Sequence, residues 1–138
     1  MIHYFSQNKF NLKEKQKRKK WLKFAVENEK TKLGEINYIF CSDEQLLEIN
    51  IEHLQHDFYT DIITFDYREK DIISGDIFIS TDRVEENAKI NHACFEEELN
   101  RVLVHGILHI IGYKDKTDED SKLMRTKENY YINYYKNF

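Results

Sequence analysis

The sequence predicts an α+β fold, one domain over residues 1–138 in which a mixed β-sheet of about four strands is packed by helices. Three observations predict it. Short runs rich in β-branched and aromatic residues recur along the chain, as strands require. Between them lie longer stretches with apolar residues at three- and four-residue spacing, opened by Asn, Ser or Thr, as amphipathic helices require. Two of the strand-like runs, 61–67 and 75–80, follow each other with no helix between, so the sheet is not purely alternating βαβ.

Ile2 to Phe5 form a short apolar start. A helix over about 12–30 follows, opened by Asn11 with Glu14 at the capping-box spacing, and Trp21, Leu22, Ala25 and Val26 supply its buried stripe. Gly34 breaks the chain before the strand "EINYIFCS". Ser42, with Gln45 three residues on, caps a helix carrying Leu46, Leu47, Ile49 and Asn50, which gives way to the polar loop "EHLQHDFYT". Strands 61–67 and 75–80 flank the charged connection "REKDIIS". A helix over about 82–91 precedes a second that begins near Phe95 and runs to Ile111, with Gly112 placed to end it. Thr117 with Asp120 opens the last helix, which bears Leu123, Met124, Tyr130, Tyr131 and Tyr134.

Composition fits this reading and narrows the function. With 41% hydrophobic and 14% aromatic residues, the chain can fill a core, which excludes a disordered tail. No apolar run is long enough to span a bilayer, and the N-terminus lacks a signal-peptide layout, so a cytoplasmic protein without membrane contact is expected. Cys41 and Cys94 lie far from any Cys-x-x-Cys spacing and read as reduced packing residues.

The net charge of −4 conceals a division. Residues 1–23 carry eight Lys or Arg against one Glu, a net of +7, whereas the remainder carries 13 against 24, a net of −11. Lys13, Lys15, Lys17, Arg18, Lys19 and Lys20 therefore form a candidate docking strip for a polyanion such as RNA. A solvated helix face is the other reading of the same run.

The chemistry concentrates in "HGILHIIGYKDKTDED", residues 105–120. His105 and His109 are the only polar side chains between Val102 and Ile111. Four apart on a helix, they share one face, and their imidazoles can converge on one ion. The full spacing, His105-x-x-x-His109-x-x-Gly112-x-x-Asp115, ends the helix at a glycine and returns a carboxylate to the same place. His105, His109 and Asp115 are thus the expected ligands of one divalent ion, at the C-terminal end of a buried helix. Zinc is the first expectation, and the carboxylate admits harder ions such as Mn²⁺ or Mg²⁺.

This is the spacing of metzincin-type zinc sites with two changes: Gly106 stands where a peptidase has its general-base Glu, and Asp115 stands where it has a third His. Without that Glu, proteolysis by the standard route lacks its general base, and Gly106 disfavours a metalloprotease. Asp118, Glu119 and Asp120 are rival ligands, but their positions also suit a helix N-terminus. Asp61 and Asp76 are candidates to line the same cleft or to form turns. His53 and His56 read as solvated.

"HGILHIIGY" resembles the His-Gly-x-Leu-His-x-x-Gly-Tyr-Asp-His signature of the YbeY family, metal-dependent endoribonucleases of ribosomal RNA maturation. "TDIITF" (60–65), "SGDIFIS" (74–80) and "IN" (49–50) are similar to that family's upstream segments in the same order. The resemblance implies a zinc-type site built on His105 and His109, with a third His replaced here by Asp115. It implies cleavage of single-stranded RNA, action at the 3′ end of 16S rRNA on the small ribosomal subunit, and a part in ribosome quality control.

Leu54 stands where the family commonly has an Arg implicated in activity. Lys114 or Arg125 would then have to supply the cation, and Lys114 joins His105, His109 and Asp115 as a candidate catalytic residue. The alternative is a ribosome-assembly factor with a structural metal and weak or no catalysis.

Overall fold

Nine elements follow one another along residues 1–138, all of which the computed structural model describes: β1 (Ile2–Ser6), α1 (Lys15–Asn28), β2 (Lys32–Cys41), α2 (Asp43–Leu54), β3 (Ile62–Asp66), β4 (Ile72–Ser80), α3 (Thr81–Ile90), α4 (Phe95–Ile111) and α5 (Asp118–Tyr135). The strands form one sheet in the order β1-β2-β4-β3. β1 and β4 each run parallel to β2, and β3 runs antiparallel to β4 at the edge. The expected mixed four-stranded α+β architecture is what the chain adopts.

Alternation along the strands sorts their side chains onto two faces. Ile36, Tyr38 and Phe40 of β2 and Ile73, Ile77 and Ile79 of β4 are fully buried, and they join Trp21, Leu22, Ala25 and Val26 of α1 and the apolar side of α4 in the main core. Each fully buried side chain of this size contributes about 1.5–3 kcal/mol, so this layer accounts for most of the fold's apolar stabilisation. Two buried polar groups of the layer are partnered, whereas the Tyr4 hydroxyl, on a ring stacked against Tyr38 and Phe40, has no partner. The Trp21 indole donates to the Tyr131 carbonyl at 2.7 Å, and the Tyr38 hydroxyl to the Leu103 carbonyl at 2.7 Å. On the other face, α2 covers a smaller cluster of Cys41, Leu46 and Ile63.

Local signals explain most boundaries. Ser42 and Gln45 form a reciprocal capping box at the start of α2. Thr117 accepts from the Asp120 amide to start α5. Gly112 ends α4 at φ +129°, a backbone state that L side chains rarely adopt, and its amide reaches back to the Leu108 and His109 carbonyls.

Four expectations need correction. α1 starts at Lys15, not near 12: Glu14 sits in the left-handed region without a side-chain cap, because Leu12 is drawn into the core and the chain must turn before the helix begins. Gly34 does not break the chain. It lies inside β2 at a register shift, where a Cβ would stand 2.1 Å from Ser74 Oγ, so the glycine permits close strand approach. β4 begins at Ile72, because Ile73 packs in the core and pulls half of the supposed connection into the sheet. Cys94 is exposed just ahead of α4 and packs nothing, whereas Cys41 is buried as expected.

Candidate functional site

α4 carries the site because it is buried on most sides yet opens at one flank. Val102, Leu103, Val104, Ile107, Leu108 and Ile110 are buried, and Gly106 lets the helix lie close on β4, since a Cβ there would meet Ile77 at 2.9 and 3.0 Å. Glycine at the place of a peptidase's general base is therefore a packing requirement as well as a missing acid. On the open flank, His105 and His109 look into a cleft of about 560 Å³. Asp115, Asp61, Glu128 and Arg125 line the same cleft, which gathers the start of β3, the flanks of α3 and α4, and the inner side of α5.

His105 is the most constrained of these groups. Its Nδ1 is 2.7 Å from Glu128 Oε2, and Glu128 in turn accepts from Arg101 Nη1 at 3.0 Å. With Nδ1–H donating to Glu128, the Nε2 lone pair faces the cleft, and Asp115 Oδ2 lies 3.5 Å from it. Burial works against charge on His105, but the Glu128 hydrogen bond and carboxylate, with Asp115 and Asp61 beyond, outweigh it and raise its pKa. Burial likewise pushes the Glu128 carboxyl up, and the hydrogen bonds from His105 and Arg101 outweigh that and hold it low. Asp61 is raised by burial, only partly offset by His105.

Two of these donors, His105 Nε2 and Asp115 Oδ2, stand at a spacing that a shared divalent ion could bridge. A carboxylate bound to the far nitrogen of an imidazole is the usual support of a metal-ligating histidine. Two ligands at about 2.1 Å from a tetrahedral ion stand roughly 3.4 Å apart, close to the separation of His105 Nε2 and Asp115 Oδ2. His109, exposed one turn on, lines the same cleft, although no three such side chains are drawn together as a closed ligand set.

The turn after Gly112 is anchored from both sides. Tyr113 donates to Glu29 at 2.6 Å, and Ser121 Oγ donates to the Asp115 carbonyl at 2.9 Å. Asp115 is thus held over the cleft by α1 and α5.

Other predicted residues lie elsewhere. Asp118, Glu119 and Asp120 form the first turn of α5 and do not line the cleft. Lys114 is exposed in the turn and outside the cleft lining. Asp76 lies on the sheet face away from α4, where it accepts from Asn37 at 3.0 Å. His53 and His56 are exposed, each against a phenylalanine ring. Among the basic residues, Lys13, Lys15 and Lys20 are exposed, Lys19 is half-buried, and Lys17 lies 4.2 Å from the Tyr135 ring centroid. Arg18 must be removed from the docking strip: its side chain is fully buried, bonded to Asn100 at 3.0 Å and to Glu96 and the Lys13 carbonyl, and ties α1 to α4.

Glu128 and Arg101 escaped sequence reasoning. A signal existed for the first, because Met124, Glu128 and Tyr131 share one helical face, which makes Glu128 an acid on a buried stripe.

A mixed sheet backed by a helix that carries a histidine pair into a cleft of carboxylates and arginines defines a small α+β protein with a polar cleft on one helix flank. The chain belongs to the YbeY endoribonuclease family, whose model, Endoribonuclease YbeY, matches residues 3–136. It is 55% identical over 128 residues to the Endoribonuclease YbeY of Flavobacterium johnsoniae, covering 93% of this chain and 92% of the relative. It is 51% identical over 127 residues to that of Christiangramia forsetii, covering 92% and 89%. The solution structure of a Thermotoga maritima protein superposes with a TM-score of 0.71 at 32% identity, over 98% of this chain and 89% of that one.

Proposed function

We propose that the protein is a metal-dependent endoribonuclease specific for single-stranded RNA, acting in the cytoplasm on 16S rRNA 3′-end maturation and in quality control of the small ribosomal subunit. The observation that carries this reading is the His105–Glu128 pair with Asp115 on its open side, in a cleft of a YbeY-family chain. His105 Nε2, His109 and Asp115 would hold one divalent ion, zinc first and Mn²⁺ as an alternative. When bound, such an ion supplies Lewis acidity toward a phosphate oxygen and a water of lowered pKa.

The chain's own residues do the rest. Glu128 fixes the His105 tautomer and ring. Arg125, more than half exposed at the cleft and 3.9 Å from Glu128, offers the guanidinium that a phosphodiester requires as charge develops on its oxygens. Asp61, its pKa raised by burial, holds a proton more readily than an ordinary carboxyl and is suited to exchange one in the cleft. Outside the cleft, Lys13, Lys15, Lys19 and Lys20 attract the RNA backbone toward an otherwise acidic chain. A second reading, an assembly factor whose metal is structural, is favoured by one observation: Leu54 lines the cleft and brings no charge to it.

The test is metal analysis of protein purified without chelator or nickel resin, paired with cleavage of single-stranded RNA. One ion per chain is expected, lost together with cleavage in His105→Ala and His109→Ala. A stoichiometric ion without cleavage selects the second reading. Unchanged metal content in both variants refutes the metal site.

A further inference from the structure

The loop 55–61 joins α2 to β3, and its own Thr60 and the preceding Leu54 line the cleft. Its backbone is fixed from beneath. Asn50, 1% exposed, donates from Nδ2 to the Phe58 carbonyl at 2.9 Å, its backbone carbonyl accepts from the His56 amide at 3.1 Å, and Gln55 turns the chain in the left-handed region. The side chains go the other way. Phe58 is 56% exposed, and its ring stacks on His56 with centroids 5.1 Å apart and planes 20° from parallel. Tyr59 is committed locally, its hydroxyl to Glu44 at 2.7 Å and its ring beneath the Arg83 guanidinium. Ile51 and Leu54 add exposed apolar surface alongside.

A buried asparagine that ties down a loop while leaving a stacked aromatic pair in water makes an ordered π-surface two residues along the chain from Leu54 and from Thr60, which line the cleft. Such surfaces take up unpaired nucleobases, whose faces are free only in single strands. We propose that the His56–Phe58 pair is the stacking platform for an unpaired base next to the scissile phosphate, and that it underlies selection of single-stranded over duplex RNA. This rests on the endoribonuclease reading above, which supplies the phosphate to the cleft that Leu54 and Thr60 border.

The experiment measures binding of an uncleavable 2′-O-methyl octanucleotide carrying one 2-aminopurine, by anisotropy and by quenching of the purine fluorescence. Wild type should bind and quench. Phe58→Ala should weaken binding by about 5- to 150-fold, the range for one stacked base, and remove the quenching while leaving the salt slope unchanged. Phe58→Trp should retain both signals, and Phe58→Leu should behave like Ala. Wild type with an abasic site in place of the aminopurine should bind as weakly as the Ala variant binds the intact strand.

If Phe58→Ala and the His56→Ala/Phe58→Ala double variant bind within twofold of a wild type that cleaves RNA, the platform is refuted and the endoribonuclease reading stands. A Leu variant as good as wild type reduces Phe58 to apolar cover and refutes stacking. A wild type that neither binds nor cleaves the RNA overturns the reading and the platform together.

Discussion

Replacing Glu29 by Gln should test how the site's turn is held, because this residue joins the end of α1 to the chain just before Asp115. The Glu29 side chain is 8% exposed and accepts three bonds, from Tyr113 at 2.6 Å, from Lys127 at 3.3 Å, and from Tyr131. Glutamine keeps the shape but offers one acceptor oxygen and turns an amide donor toward hydroxyl and ammonium donors. One side must lose its acceptor: either Tyr113 on the first oxygen, or Lys127 and the fully buried Tyr131, whose hydroxyl already receives Asn28 Nδ2, on the second. One unsatisfied buried donor costs about 1–3 kcal/mol, and weakened bonds to a charged acceptor bring the loss to about 2–4 kcal/mol. For 138 residues, an unfolding entropy near 2.1 cal/mol/K per residue makes each kcal/mol about 3.5 °C, so Tm should fall by about 7–14 °C at neutral pH.

The pH dependence sharpens this prediction. Burial pushes the Glu29 carboxyl up, but the hydrogen bonds from Tyr113, Tyr131 and Lys127 prevail and hold its pKa below the ordinary 4.5. A depressed folded-state pKa stabilises fully above the unfolded value, and that stabilisation is lost as pH falls through the folded value. The gap in Tm between wild type and Glu29→Gln should therefore be full at pH 7 and narrow below pH 4.5. Thermal unfolding followed by circular dichroism at both pH values reads it. A Tm within 2 °C of wild type at pH 7, or a gap that persists unchanged in acid, would refute the reasoning.

Other expectations concern the sheet, the ligand set and the basic strip. Gly75→Ala should lower Tm by about 3–10 °C in the same assay, a cost of about 1–3 kcal/mol, because its Cβ would stand 2.4 Å from the Phe65 carbonyl oxygen of β3. Asp115→Ala should lose metal on dialysis, whereas Asp115→His should retain it and shift the rising limb of RNA cleavage to lower pH; metal retained by the Ala variant would point to another ligand. Changing Lys13, Lys15 and Lys20 to Gln should weaken RNA binding and flatten its log–log salt dependence by about 2, and an unchanged slope would remove these residues from the interface.

The fold was legible where local chemistry and tertiary packing agree. The capping box at Ser42, the long apolar helix ended by Gly112 and the core stripe of α1 are all local patterns that the structure keeps. Legibility failed where distant contacts decide. Leu12 is claimed by the core, so no cap forms at Asn11, and Gly34 serves its neighbour Ser74 across the sheet rather than a turn.

The site divides in the same way. His105, His109 and Asp115 share one short segment and line one cleft, so they could be read together as candidates, whereas Glu128 meets His105 only after α5 folds back across α4. Arg18 was misread because a basic run hides the one member that falls on the Trp21–Leu22–Ala25 stripe, an offset visible in the helical period itself.

That α5 closes the cleft bears on when the protein acquires its chemistry. A chain that has emerged only as far as residue 117 already carries both histidines and Asp115, but it lacks Glu128 to orient His105, Arg125 at the cleft and Ser121 to hold the turn. The order of synthesis thus withholds the assembled cleft until α5 docks. A protein whose proposed substrate is the RNA of the machine that makes it would remain incompetent for as long as α5 is still being made.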